Sequence, residues 1–209
     1  MKVFTFFSES HKPLHDLFIE SASETNPNLQ IHSDLIDQSG TGLFMDKGWE
    51  DSMSDKLDQI IKSCETEEVF IHSDADVYFF SPIEEKILDE LGEYDIAFQD
   101  DGHVGLCMGF FICRPNKKVI DLFRSVKSIL GSFNGHDQNA LNSIIASSGV
   151  KYKKLSGLFF NYGQKYGKVW DGEDFEVDPN ILILHANWVI GVENKIKMIS
   201  LVNQKIKKR

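Results

Sequence analysis

Cysteine and proline are both scarce, with three of the first and five of the second in 209 residues. Cys64, Cys107 and Cys113 are odd in number and lack the spacing of a zinc site. They argue against a disulfide scaffold and predict three reduced, buried thiols of an intracellular protein. Positive charge is also in short supply: 22 lysines and arginines stand against 32 acidic side chains, a formal charge of −10. Binding a polyphosphate requires basic residues that replace its counterions, so no general nucleic-acid surface is expected, although a local phosphate site remains open. No apolar run approaches the ~18 residues that span a bilayer. The N-terminal stretch turns polar after seven residues, too early for a secretory signal. These absences predict a cytoplasmic protein with no transmembrane segment.

What is present is alternation of strand-like and helix-like segments. A chain of this length buries roughly 70% of its unfolded surface, ample for one core, and no linker, repeat or low-complexity tract divides it; one domain over residues 1–209 is expected. Lys2–Phe7 is β-rich, and Pro13–Ser23 follows with Leu14, Leu17, Phe18 and Ala22 at helical spacing. Leu29–Ser33 reads as a strand and Ser39–Gly48 as a loop ending at Trp49. Ser52–Ser63 reads as a helix and Glu68–His72 as a strong strand. Further helices are predicted at Ile83–Leu91, Lys117–Leu130 and His136–Ser147, and further strands at Tyr94–Gln99, Met108–Cys113, Tyr152–Leu155 and Ile181–Leu184. Gly157–Asp178 reads as a long aromatic connection. The pattern predicts an α/β sheet flanked by helices.

One junction carries chemistry. The apolar strand before His72 runs into Asp74-Ala75-Asp76, two carboxylates spaced i, i+2. In extended backbone both would point to one side, about 6.6 Å apart along the strand. Such a pair invites a hard divalent cation, Mg2+ or Mn2+, at the strand end where ligands of α/β sheets bind. The alternative is a pair of exposed turn carboxylates. His185 ends the apolar run Ile181–Leu184 and is either a third ligand or a structural histidine.

Asp74-Ala75-Asp76 after a strand resembles the DxD motif of GT-A glycosyltransferases, which bind a nucleotide-diphosphate sugar through a divalent metal. Four other segments fit in the same order. Residues 3–8, Val-Phe-Thr-Phe-Phe-Ser, resemble the first strand, whose end holds the nucleoside. The segment Gly105–Phe111 takes the place of an Asn-x-Gly-Phe type segment near the donor sugar, with Cys107 where the family often has Asn. His136-Asp137-Gln138-Asn139-Ala140-Leu141-Asn142 is similar to the Asp-Gln-x-x-Leu-Asn segment of nucleotide-diphospho-sugar transferases. Finally, His185-Ala186-Asn187-Trp188, with Gly191 and Lys195, resembles the family's C-terminal His-x-Asn and Gly-x-x-x-Lys region. The short chain is also similar to glycosyltransferase domains that large algal viruses encode for capsid glycans.

The resemblance implies a GT-A, Rossmann-like α/β domain with a mixed central sheet. It implies a hexosyl- or deoxyhexosyltransferase that uses Mn2+ or Mg2+ and a UDP-sugar to glycosylate a glycan or glycoprotein. Asp76 would be the direct metal ligand, Asp74 would reach the ribose or the metal's water, and His185 would be the third ligand. Phe4, Thr5, Ser8, Lys56, Ala75, Gly109, Gln138, Asn187, Gly191 and Lys195 would surround the donor, with Lys195 a point charge on the diphosphate and Lys197 its substitute if the register differs. The compartment would be the cytoplasm, that of the host if the gene is viral.

Each residue also has a plainer reading. Asp137 either caps its helix or faces sugar and acceptor as a general base, with Asp100 and Asp101 as rivals that are otherwise loop carboxylates. Lys56 either approaches the nucleotide or belongs to a solvated helix face. Trp49, Trp170 and Trp188 either stack on sugars or serve burial, and the loop around Phe159, Phe160, Asn161 and Tyr162 is either an acceptor wall or a core-packing aromatic cluster. The basic end, Lys205, Lys207, Lys208 and Arg209, is either a solvated helix face or a peripheral contact for an anionic membrane. Two other functions share the acidic motif: a haloacid-dehalogenase-type phosphohydrolase with an aspartyl nucleophile, and a non-catalytic nucleotide-sugar or glycan-binding module. The first departs from pattern, because its motif belongs on a first strand and Tyr78 stands where Thr or Val is usual.

Overall fold

The computed structural model describes residues 1–37, 40 and 47–207. The chain opens with β1 (Lys2–Phe7), α1 (Lys12–Thr25, with Pro13 in its first turn) and β2 (Gln30–Leu35). Next come α2 (Trp49–Thr66), β3 (Phe70–Ser73), β4 (Val77–Phe79) and α3 (Glu84–Leu91). They are followed by β5 (Ile96–Asp100), β6 (Leu106–Cys113), α4 (Lys117–Ile129) and α5 (Asp137–Ile144). The chain continues through β7 (Tyr152–Lys154), β8 (Phe159–Asn161), α6 (Tyr162–Tyr166), β9 (Ile183–His185) and α7 (Val192–Lys207).

Six strands form one mixed sheet in the order β2-β1-β3-β6-β5-β7. The β1 strand is parallel to β2 and β3, whereas β6 is antiparallel to both β3 and β5. Strands β4, β9 and β8 form a second, smaller sheet. One face of the large sheet packs through Phe70, Phe98 and Phe111 on Leu57, Ile60 and Phe123 of α2 and α4. The other packs through Val3, Ile71, Phe110 and Ile112 on Phe18 and Ile87 of α1 and α3. Leu184, Trp170 and Phe175 build a third apolar cluster with Met198 and Val202 of α7. Strands buried on both faces read as near-continuous apolar runs, which is why β3 and β6 were conspicuous in the sequence.

Side-chain caps mark the starts of α4 and α6. Asn116 accepts the N–H groups of Lys118 and Val119 at the head of α4, and Asn161 accepts that of Gln164 at the head of α6.

Several expectations are corrected. Asp74 and Asp76 are not in extended backbone: β3 stops at Ser73, and the pair sits in the turn into β4, a strand the sequence did not suggest. The 157–178 connection contains β8 and α6, and its Phe159, Phe160, Asn161 and Tyr162 are core residues. Trp49 starts α2 instead of ending a loop. Of the Ser39–Gly48 loop, only Gly40, Lys47 and Gly48 fall among the described residues, and Lys208 and Arg209 fall outside them. The three cysteines are free and buried, as expected.

Candidate active site

The parallel strands β1 and β3 direct their C-terminal ends to the same edge of the large sheet, and a cleft opens there. Phe6, Phe7 and Ser8 from β1 and the residue after it, Asp74, Ala75 and Asp76 from the turn, and Lys195 from α7 line it. This is where an α/β sheet offers its ligand site. His185 arrives through strand pairing. Antiparallel β4 and β9 put Val77 opposite His185, and the Ala186 N–H donates to the Asp76 carbonyl at 3.0 Å. One side-chain atom from each of Asp74, Asp76 and His185 lies within 4.8 Å of the other two.

Cationic side chains flank the triad, in which Asp76 and His185 are buried and Asp74 is partly exposed. Lys195 Nζ lies 2.5 Å from Asp76 Oδ2, and His185 Nε2 is 3.1 Å from Asp76 Oδ1 without hydrogen-bond alignment. Burial alone would raise the Asp76 pKa, but Lys195 and His185 outweigh it and hold the carboxyl well below its ordinary value. Burial works against charge on His185 too, yet the Asp76 carboxylate prevails and pushes its pKa up to about 10.

Lys56 has a different place from either sequence reading. It is 2% exposed, so it is no solvated helix lysine, and its Nζ bridges Asp74 Oδ1 at 3.0 Å and Asp137 Oδ2 at 3.1 Å. Burial lowers its pKa, but Asp137 and Asp74 more than compensate and the net shift is upward. Asp74 is held low in return: burial raises it, Lys56 lowers it further. Asp137 does not act as the N-cap, a position His136 takes. It stands first in α5, buried, with Oδ1 accepting the Gln138 N–H at 2.8 Å.

The two rival carboxylates part company. Asp101 is 2% exposed, and its oxygens accept from Gln138 Nε2 at 2.8 Å, Asn187 Nδ2 at 3.1 Å and Trp188 Nε1 at 2.6 Å. It thereby ties together two of the motif segments, 136–142 and 185–188. Asp100 turns to Lys154 at 2.5 Å and Gln164 at 3.4 Å, and neither partner belongs to the triad of Asp74, Asp76 and His185. Gly109 lies against Asp74 and His185, and its carbonyl accepts the Asp74 N–H at 2.7 Å. Gly191, at φ +84°, precedes α7 and accepts the Lys195 N–H at 3.1 Å.

Phe4 and Thr5 stop short of the cleft. Phe4 stacks on His32 and meets Phe70 edge-on, and Thr5 is fully buried, so Phe6 and Phe7 are the part of β1 that lines the cleft, with Ser8 just beyond it. Of the lysine alternatives, Lys195 lines the cleft and Lys197 is exposed. Trp170 is core, Trp49 lines the cleft and donates to the Gly135 carbonyl at 3.1 Å, and Trp188 lies flat on Gly163. Lys205 is drawn inward to Asp174 and the Phe175 carbonyl, which takes it out of any free basic patch.

Sequence reasoning missed three polar residues. His11 lines the cleft with Ser8 and Ser10 hydroxyls at 3.1 and 3.0 Å from its Nδ1; its position just after a strand's C-terminal end was the available signal. His72 is fully buried, with Nε2 3.5 Å from Asp74 Oδ1. Gln99 Oε1 lies 2.7 Å from His185 Nδ1. A buried polar residue inside a strand was the only clue to the last two.

The cation fit rests on donor chemistry. Two carboxylates and an imidazole converge, a hard oxygen and nitrogen donor set that suits a divalent ion; Asp74 Oδ1, 3.0 Å from Lys56 Nζ, and Asp76 Oδ1, 3.1 Å from His185 Nε2, are buried in ion pairs without an aligned hydrogen bond.

Residues 18–199 match the family model described as nucleotide-diphospho-sugar transferase. No curated protein sequence matches the chain. Among solved structures, the glycosyltransferase GlyE of Streptococcus pneumoniae TIGR4 superposes with a TM-score of 0.63 at 15% identity, over 99% of this chain and 63% of GlyE. The chain thus spans under two thirds of GlyE's length. A glycosyltransferase involved in glycosylation of the major capsid of PBCV-1 gives 0.66 at 12% identity, over 95% of this chain and 98% of that one. The galactosyltransferase LgtC, solved with donor and acceptor sugar analogs, gives 0.58 at 12% identity, over 98% and 96%. These likenesses identify the α/β fold as that of the GT-A glycosyltransferases.

Proposed function

This chain belongs to the nucleotide-diphospho-sugar transferase family, and from that premise we propose that it transfers a sugar from a UDP-sugar, bound with Mn2+ or Mg2+, to a hydroxyl of a glycan or glycoprotein. The observation that carries the reading is the convergence of Asp74, Asp76 and His185 at the end of β3, beside a cleft that also holds Lys195. A divalent cation there would neutralise charge developing on the diphosphate leaving group.

The chain's own residues divide the remaining work. Lys195, now on Asp76, is long enough to turn its ammonium to a phosphate. Ser8 and His11 face the cleft from the end of β1 and offer hydrogen bonds to the nucleoside part of the donor. Asp137, neutralised by Lys56 and carried next to Gln138, faces the sugar side. Asp101 is the preferred acceptor-side carboxylate, because Gln138, Asn187 and Trp188 hold it fixed. Support for the capsid or glycan acceptor comes from fold likeness to enzymes described as acting on such targets.

Calorimetric titration of a UDP-sugar panel, with and without Mn2+ and repeated on Asp76→Asn, tests the proposal. Binding that requires the metal and is lost in the variant supports it. Metal-independent binding that survives the substitution refutes it. A trapped aspartyl-phosphate would favour phosphohydrolase chemistry instead, and donor binding without hydrolysis or transfer would favour a binding module.

A further inference from the structure

We propose that Gln99 is a positioning residue that fixes the tautomer and direction of His185 for the cation; this rests on the reading of Asp74, Asp76 and His185 as a metal site. Gln99 is fully buried on β5 and reaches both strands of the smaller sheet that flank it. Its Nε2 donates to the Phe159 carbonyl of β8 at 3.1 Å, while Oε1 lies 2.7 Å from His185 Nδ1 on β9. The order of these contacts is determined by chemistry. A backbone carbonyl can only accept, so Phe159 requires the NH2 group on its side and leaves the amide oxygen to His185. The amide oxygen can only accept as well, so Nδ1 carries a proton.

A neutral ring protonated at Nδ1 keeps its lone pair on Nε2, the nitrogen 3.1 Å from Asp76 Oδ1. Two acceptor atoms that close need a positive charge between them, which a divalent cation supplies in the ligating ring and a second ring proton supplies otherwise. Cys107 Sγ, 3.7 Å from Nδ1, does not compete for the role, because it already accepts from Gly109 N–H and Asn187 Nδ2. The backbone contributes too. The β5–β6 register slips from Phe98 opposite Phe111 to Asp100 opposite Leu106, so Gln99 stands at an irregularity, a feature that commonly re-aims a side chain beside a site. Outer partners of metal-bound histidines act in this way.

A role confined to tying the two sheets together would leave metal affinity untouched, and this separates the readings. Mn2+ would be titrated by electron paramagnetic resonance, with and without UDP, into the full chain, Gln99→Met, His185→Ala and the double variant. Methionine nearly preserves the length of glutamine and lacks its acceptor oxygen. Gln99→Met is expected to weaken Mn2+ binding about 10–100-fold. The double variant is expected to bind no more weakly than His185→Ala alone, because Gln99 acts through that ring. Mn2+ affinity in Gln99→Met within about twofold of the unaltered chain, against that 10–100-fold expectation, overturns the proposal. So do losses that multiply in the double variant. If the unaltered chain binds no Mn2+, the metal-site reading itself fails, and the role of Gln99 with it. Should Gln99→Met not fold, nitrogen-15 resonance of the His185 ring in the unaltered, Mg2+-loaded protein decides: a proton on Nδ1 supports the proposal, and one on Nε2 overturns it.

Discussion

Gly109 holds His185 at a distance no other residue would allow: a Cβ built on it would stand 2.3 Å from His185 Cε1, and 2.6 Å from Asp74 Oδ2. Its φ is not among the positive ones, so an alanine suits the backbone and the conflict is steric alone. Gly109→Ala is expected to push His185 and Asp74 apart, costing about 1–3 kcal/mol of stability as an overpacked core does. The larger effect is expected on the cation, at least about tenfold in Mn2+ affinity, the scale of losing ligand placement. Thermal melts and Mn2+ titration on the same samples check both; an unchanged affinity would contradict the assignment of the triad.

Lys56 sets the charge balance beneath the site. Removing it strands the buried Asp137 carboxylate and the partly exposed Asp74, so Lys56→Ala is expected to cost about 3–5 kcal/mol in urea unfolding. The pH dependence should also weaken. In the unaltered chain Asp74 is depressed below its ordinary 3.8, so its contribution is present above that value and is lost as acid takes the pH below it. Lys56 is raised above its ordinary 10.5, so its contribution is complete below that pH and lost only in stronger alkali. Without Lys56 the strongest single influence lowering Asp74 is gone and only His72 still lowers it, so less stability is lost on acidification. Lys56→Met should therefore lose less stability than the unaltered chain as the pH falls below the ordinary value of 3.8, read by urea unfolding.

His185 links metal binding to protons. Its pKa of about 10 in the metal-free chain means that the ring is protonated at neutral pH, whereas ligation requires a lone pair on Nε2. Each cation bound between pH 7 and 9 should release about one proton, and apparent affinity should climb roughly tenfold per pH unit until the pH nears the ring's own pKa. Calorimetry in two buffers of different ionisation enthalpy counts the protons. His185→Gln is expected to abolish the release along with most of the affinity.

How much of this was legible in the sequence depends on whether a contact is local. The strands β1, β3 and β6 and the helices α2 and α4 announce themselves through apolar runs and helical periodicity, and Asp74-Ala75-Asp76 through its position after β3. The three-residue strands β4 and β8 are too short for any alternation to register, and they exist because β9 pairs between them. Burial of Lys56 was invisible for a similar reason. Its own helix turn is polar, and only the distant Asp137 and Asp74 make a buried ammonium tolerable. Gln99 gave no signal beyond being polar within a strand.

Asp101 and Trp188 allow the proposed acceptor side to be tested apart from the proposed donor side. The indole lies on Gly163, where a Cβ would come within 2.0 Å of Nε1, and the same Nε1 donates to Asp101 Oδ1 at 2.6 Å. Trp188→Phe keeps the ring and removes one of three donors, so it should cost only about 1 kcal/mol of stability. Asp101→Asn is more disruptive. Its new NH2 group must face either Gln138 Nε2 or the Asn187 and Trp188 donors, leaving buried donors unpaired at about 1–3 kcal/mol. Neither change touches Asp74, Asp76 or Lys195, so Mn2+-dependent UDP binding should be retained in both. Transfer to an acceptor should fall about 10²–10⁴-fold in Asp101→Asn if its carboxylate takes the proton of the attacking hydroxyl. Equal loss of donor binding and transfer would instead place Asp101 among the supports of the donor site and return Asp137 as the base.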